Sequence, residues 1–258
     1  MTTCLLILGP AGSGKTTLAR TLALKLIADQ GSESVVTVNL DPGSDDSDPW
    51  TIDVRERITL VNVMKKYKLG PNGAMVKAFE LMEREIDPML DPICQSMPAY
   101  VIIDAPGQLD PLIFSEAGNA VMKKMKEKLA DVTGIFLIPA DIINTPAGYA
   151  FLVLLLTGLR LKLDIPLLHV ISKADLLEDS TDAYLNNPDE LINRLDQDTG
   201  EIASFSIAST EIVKRLLPTI HPVKVSIAGR RPSAKIATGL DDLIDLVHES
   251  KCACGDLT

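Results

Sequence analysis

The chain has 258 residues, a formal net charge of -10 and 46% hydrophobic residues. That acidic surplus argues against a nucleic-acid face, which meets phosphates with Lys and Arg. The length suits one α/β core with both faces of a sheet covered, so a single domain over 1–258 is expected.

The apolar run 4–8 reads as a buried strand, and 17–26 reads as the helix that follows. Between them, Gly9-Pro10-Ala11-Gly12-Ser13-Gly14-Lys15-Thr16-Thr17 fits the phosphate-loop pattern G-x-x-x-x-G-K-[ST] in the strand-to-helix context that the pattern requires. Glycines let successive N–H groups curl around phosphate oxygens, and the helix N-terminus adds partial positive charge. Gly12, Ser13, Gly14, Lys15, Thr16 and Thr17 are therefore the expected nucleotide contacts. Lys15 reaches the outer phosphates, and the Thr16 hydroxyl goes to Mg²⁺. The implied ligand is a nucleoside triphosphate.

Gly31 ends the helix, and 35–40 is a second buried strand that runs into the acidic loop 41–48. Ligands of open parallel sheets bind at that edge, so Asp41 is the expected phosphate-end carboxylate, while Asp45, Asp46 and Asp48 read as solvated. Val54, Ile58, Val61 and Met64 recur at helical spacing over 54–66. Gly70-Pro71-Asn72-Gly73 then reads as a turn, followed by a helix over 74–86 and a Pro-punctuated loop to Pro98. The stretch 52–97 is thus a helical insertion on the sheet.

The third strand, 99–103, delivers Asp104-Ala105-Pro106-Gly107-Gln108. Asp104 at a strand end is placed for a Mg²⁺-bound water, Gly107 for close approach to the γ-phosphate, and Gln108 for orienting an attacking water. A helix over 111–129 carries a basic run, 123–128, that reads as a solvated face. Next come a strand over 133–138 and a helix over 146–162. The apolar segment of that helix, 149–159, is too short for a bilayer and reads as buried. His169, inside the strand 166–171, reads as a core histidine.

That strand ends in Ser172-Lys173-Ala174-Asp175-Leu176. An aspartate here accepts from guanine N1–H and N2–H₂, which adenine cannot match, while the Lys173 stem lies along the base. The segment 180–218 reads as mostly helical, 223–227 as the last strand and 240–249 as the final helix. Of three late candidates for a base-contacting loop, 206–208, 226–228 and 233–235, the choice is Ser233-Ala234-Lys235, between the last strand and the final helix. The cysteines at 4, 94, 252 and 254 make no spaced framework, so reduced thiols are expected. No charged-then-apolar leader opens the chain, so a cytoplasmic setting is expected.

These motifs in order resemble a P-loop GTPase, with an open, mostly parallel sheet and helices on both faces. Gly70-Pro71-Asn72, between the second and third strands, is similar to the tripeptide that names the GPN-loop GTPases. The resemblance covers essentially the whole chain, including Asn39-Leu40-Asp41-Pro42 and the tail 252–258. It implies Mg²⁺-dependent conversion of GTP to GDP and a homodimer in which Gly70, Pro71 and Asn72 enter the partner's nucleotide site. It also implies Asp41, Gln108 and Asp110 around the attacking water, and a role as an assembly or regulatory factor for a protein client. Nucleic acid and membrane are not expected partners. Ser172 stands where the guanine motif usually has Asn, Asp110 where Glu is typical, and 229–232 resembles an insertion before the base-contacting loop. Pro10 stands where related ATP-dependent partitioning proteins carry a trans-acting Lys, which leaves Arg55 and Arg230 as candidates for neutralising charge. A small-molecule kinase is the alternative from another class, but it needs an Arg-rich lid that the sequence does not offer.

Overall fold

The computed structural model describes residues 2–129, 131–185, 187–196, 212, 215, 222–228 and 237–255. The chain divides into two compact units: Met1–Phe136 with Ile165–Leu167 and Ile227–Ala237, and Leu137–Asp164 with Leu168–Ser226 and Thr238–Thr258.

In the first unit, β1 (Thr3–Leu8), α1 (Lys15–Gln30) and β2 (Val35–Asn39) form the first crossover. The strands β3 (Ile52–Asp53), β4 (Tyr100–Asp104) and β5 (Val132–Pro139) complete the order β3-β2-β4-β1-β5. All four pairings are parallel. Cys4 to Leu8 are at most 1% exposed, which is why the strand is a continuous apolar run and not an alternating one. Register then does the positioning. Asp104 pairs with Ile7 on one side and Asn39 on the other, so the segments leaving β1, β2 and β4 all emerge at one carboxyl edge.

The helix expected over 54–66 begins later, as α2 (Leu60–Tyr67), because Thr59 Oγ1 accepts from Asn62 N at 3.3 Å and caps it there. The short strand β3 and a 3-10 turn, Val54–Glu56, precede it. Val54 and Ile58 are buried as expected, but Val61 is 58% exposed, so the periodic reading had joined two elements. Gly70-Pro71-Asn72-Gly73 is not a free-standing turn. Gly70 caps α3 (Pro71–Ser96), and Pro71 takes the first helical position, where its missing N–H costs nothing. α3 continues through Pro88 and Pro92 where a loop was expected. Both prolines lie on the exposed side, so the carbonyls they leave unbonded face water, while Met82, Ile86, Met89, Leu90 and Ile93 keep the opposite side buried.

The helix expected over 111–129 is two, α4 (Leu109–Phe114) and α5 (Glu116–Lys128), broken at extended Ser115, whose Oγ accepts from Gly118 N at 2.9 Å. The basic run on α5 is only partly solvated. Lys124 pairs with Asp87 at 2.8 Å, and Lys128 pairs with Asp91, both across to α3.

In the second unit, α6 (Ala140–Ile143) leads to α7 (Pro146–Leu163), β6 (Leu167–Ser172), α8 (Asp179–Leu185) and α9 (Pro188–Asp196). Then follow β7 (Val223–Ile227), β8 (Ala237–Thr238) and α10 (Leu240–Gly255). β6 and β7 pair in parallel, with Ser172 opposite Val225. His169 is a core residue, 2% exposed. α7 matches the expected helix to within one residue but is less buried than expected, and its 18 residues are long and apolar enough to cross a membrane by length and composition. One side buries Tyr149, Leu152, Val153, Leu156, Leu159 and Leu163, while Phe151 and Leu161 are exposed. The final helix runs past 249 to Gly255. Ser233, Ala234, Lys235 and Arg230 lie outside the described residues, as do 206–208 and most of 197–221.

Two glycines give a stability test. A Cβ on Gly118 would lie 2.2 Å from the Pro111 carbonyl oxygen, whereas one on Gly158 in α7 meets nothing within 4 Å. Gly118→Ala is therefore expected to cost about 1–3 kcal/mol. Gly158→Ala is expected to be neutral or to stabilise by up to about 1 kcal/mol. Urea unfolding compares them, and equal midpoints would contradict the packing described.

Candidate functional site

The phosphate loop is built on backbone that side chains disfavour. Gly12 has φ 75°, and Gly14, which caps α1, has φ 90°; L residues rarely adopt either. Lys15 is 7% exposed and folds onto the loop, its Nζ donating to Pro10 O at 3.0 Å. Burial lowers the Lys15 pKa, and the Asp104 and Asp41 charges oppose that shift.

Thr16 Oγ1 donates to Asp104 Oδ2 at 2.6 Å. Asp104 is 1% exposed, and its Oδ1 is buried without a hydrogen-bond partner. Burial pushes this carboxyl up from its ordinary 3.8 to about 6, against the Thr16 hydrogen bond and the Lys15 charge. An aspartate held in this way stands ready for a cation or a proton.

Asp41 reaches the same place from β2. Its Oδ1 accepts from Gly43 N at 2.8 Å and its Oδ2 from Gly107 N at 3.1 Å, so one carboxylate joins its own loop to the turn after β4. Gly107 in turn sits against the phosphate loop, since a Cβ there would lie 3.8 Å from that of Ala11. The result is a cavity of about 760 Å³ lined by Gly12, Lys15, Thr16, Thr17, Asp41 and Gly107, among others. Gln108 Nε2 donates to Asn72 Oδ1 of the same chain at 3.4 Å. Asp110 is exposed in the first turn of α4. Ser13, buried in the loop, has an Oγ without a hydrogen-bond partner.

Several residues at this edge escape motif reading. Asp46 is not simply solvated: Arg20 Nε donates to its Oδ2 at 2.5 Å, and the Arg20 guanidinium lies 4.2 Å from the Trp50 ring centroid. Arg55 forms an ion pair with Asp53 at 2.5 Å and also donates to the carbonyls of Ser44 and Asp46. Asn39, 0% exposed, is a polar residue at the end of an apolar strand. That break in the pattern, and an Arg one turn beyond the phosphate-loop threonines, were the available signals.

In the second unit, Ser172 ends β6 with its Oγ buried and without a hydrogen-bond partner. Lys173 is exposed in the left-handed region, φ 56°, and Asp175 follows in the 3-10 turn Ala174–Leu176. Asp175 Oδ1 accepts from Ser226 Oγ at 2.6 Å. Ser226 belongs to the candidate stretch 226–228 and touches Asp175, while the expected stretch 233–235 lies outside the described residues.

A family model described as a conserved hypothetical ATP binding protein matches residues 7–253. The GPN-loop GTPase PAB0955 of Pyrococcus abyssi is 31% identical over 258 aligned positions, covering 97% of this chain and 98% of that protein. GPN-loop GTPase 2 of Schizosaccharomyces pombe is 32% identical over 176 positions, 67% of this chain but only 55% of the relative. The chain thus spans little more than half the length of that eukaryotic protein. The crystal structure of PAB0955, described as a GTPase in apo form, superposes with a TM-score of 0.81 at 27% identity, over 98% of each chain.

The raised Asp104 pKa carries a stability consequence. Its contribution is fully present below the unfolded value near 3.8 and is lost as pH rises through about 6, because the unfolded chain releases its proton first. Asp104→Asn removes that slope. Urea midpoints measured between about pH 4 and 7 without divalent cations should fall for the wild type relative to the variant; parallel curves would contradict the assignment.

Proposed function

The chain belongs to the GPN-loop GTPase family, and from that premise we propose that it binds GTP with Mg²⁺ and hydrolyses it to GDP and phosphate. The observation that carries this reading is the junction of Lys15, Thr16 and Asp104 beneath the phosphate loop. Thr16 and Asp104 would hold Mg²⁺, which supplies charge neutralisation at the terminal phosphate oxygens. The fit rests on the partnerless Asp104 Oδ1 and on hard oxygen donors. Among the described residues, no three His, Cys, Asp or Glu side chains gather to hold a metal by themselves.

The chain's own groups then divide the work. Backbone N–H groups of the phosphate loop and α1 cradle the phosphates. Lys15 exchanges the Pro10 carbonyl for a phosphate oxygen and neutralises charge as the bond to the γ-phosphorus breaks. Asp41 accepts a hydrogen bond from the attacking water, and Gln108 orients it, so that positioning accounts for much of the rate. Asp110 stands next in the same segment and completes the polar surround of the water.

Nucleoside choice falls to Lys173 and Asp175. The matching family model is described by ATP, the relatives by GTP. Asp175 favours guanine, because its carboxylate accepts from N1–H and N2–H₂, and Ser226 supports this by fixing one carboxylate oxygen. Lys173 covers the base, and Ser233 and Ala234 add further base contacts. The protein works as a homodimer in which Gly70, Pro71 and Asn72 complete the partner's site. It is an assembly or regulatory factor for a protein client in the cytoplasm, with neither nucleic acid nor membrane as partner; the acidic net charge supports the first exclusion.

Phosphate release from GTP and from ATP, followed over a range of protein concentrations, tests this directly. Turnover of GTP alone, with specific activity rising to a plateau, is the expected result; preferential use of ATP would overturn it. Asp175→Asn should transfer preference to xanthosine nucleotides. Asn72→Ala should slow hydrolysis and leave GDP affinity nearly intact, and an unchanged rate would remove Asn72 from the site.

A further inference from the structure

The parallel register of β2 and β3 sets Asn39 directly beside Asp53. Asn39 is fully buried and uses both ends of its amide. Its Oδ1 accepts from Asp41 N at 2.9 Å, and its Nδ2 donates to Asp53 Oδ1 at 2.9 Å. Asp53 then caps the 3-10 turn that follows it, accepting from Arg55 N at 2.9 Å. The turn brings the Arg55 side chain back onto the same carboxylate. Nε donates to both oxygens at 3.0 Å, and Nη2 donates to Oδ2 at 2.5 Å.

The remaining arm of the guanidinium points the other way. Arg55 Nη1 donates to Ser44 O at 3.1 Å and to Asp46 O at 2.5 Å, two carbonyls of the loop that begins at Asp41. That loop is therefore held at its root by the Asn39 amide and along its far limb by Arg55, with Asp53 joining the two. Asp41 itself is left with its carboxylate aimed at Gly43 N and Gly107 N. A guanidinium has five N–H donors, and here every nitrogen already donates to protein oxygens. Such an arginine is occupied as a brace and is poorly placed to serve as a free charge for a phosphate.

We propose that Arg55 is a positioning residue for GTP hydrolysis. It holds the Asp41 loop through the Ser44 and Asp46 carbonyls and through Asp53 and Asn39, and it does not touch the nucleotide. The inference rests on the reading of Asp41 as the carboxylate that holds the attacking water. Its physical content is geometric, since displacing a catalytic group by about 1 Å costs up to roughly 100-fold in rate.

The test is single-turnover GTP hydrolysis with Mg²⁺ by the full chain, run beside GDP affinity, for Arg55→Ala, Arg55→Lys, Asp41→Asn and the double variant Asp41→Asn with Arg55→Ala. Arg55→Ala is expected to slow hydrolysis by about 10-fold or more and to leave GDP affinity within about twofold. Arg55→Lys keeps a charge near Asp53 and so guards against a variant that merely misfolds. It is expected to be slow as well, because an ammonium cannot span Asp53 and both carbonyls. The double variant should be no slower than Asp41→Asn alone, since both changes remove one function. Wild-type rates in both Arg55 variants beside a slow Asp41→Asn would overturn the proposal. So would a double variant showing the product of the single effects, which means direct contact with the phosphate, or a parallel loss of GDP affinity and rate, which means a damaged fold. A wild-type rate in Asp41→Asn would instead bring down the reading of Asp41, and this inference with it.

Discussion

A carboxylate kept out of water at the end of a parallel strand is the constraint around which the first unit is arranged. The register of β4 fixes Asp104 between Ile7 and Asn39, in a sheet whose neighbouring residues are almost wholly buried. Burying a charged group is costly unless it is paired, and Asp104 has Thr16 on one oxygen and the Lys15 charge nearby, with the other oxygen left over. The protein tolerates a group whose proton affinity is raised to about 6 at that point. Such an arrangement belongs to a site whose stability is completed by what it binds.

The loops around Asp104 solve a second problem, that of holding an acidic segment over an acidic centre. Arg20 and Arg55 do so from opposite ends. Arg20 donates to the Asp46 carboxylate and to Asp48 O at 2.6 Å while lying over Trp50. Arg55 ties the same segment back to Asp53. Neither cation is spent on the surface, where an ion pair contributes little. In the second unit a hydroxyl does a comparable job, with Ser226 Oγ donating to one oxygen of Asp175.

The phosphate loop was legible in the sequence because its backbone demands glycines at fixed spacing, Asp41 and Asp104 were legible as carboxylates at strand ends, and the buried strands were legible as apolar runs. What escaped was decided by tertiary contact. β3 is two residues long and exists only through its pairing with β2. α3 runs through two prolines because a buried apolar stripe outweighs two lost hydrogen bonds on the wet side. Ser115 splits the helix expected over 111–129, its hydroxyl capping the second piece. The cations of α5 looked solvated until α3 brought Asp87 and Asp91 opposite them. The contact of Ser226 with Asp175 follows from the pairing of β6 with β7, which chain order alone does not give.

Carbon-detected NMR titration of the Asp104 carboxyl, in the protein alone and then with Mg²⁺ and GDP, addresses the central constraint most directly. The account predicts a midpoint near 6 in the protein alone and a carboxylate that stays ionised well below that pH once Mg²⁺ and GDP are bound. A midpoint that Mg²⁺ and GDP leave unmoved, or an ordinary carboxyl value in both states, would contradict it.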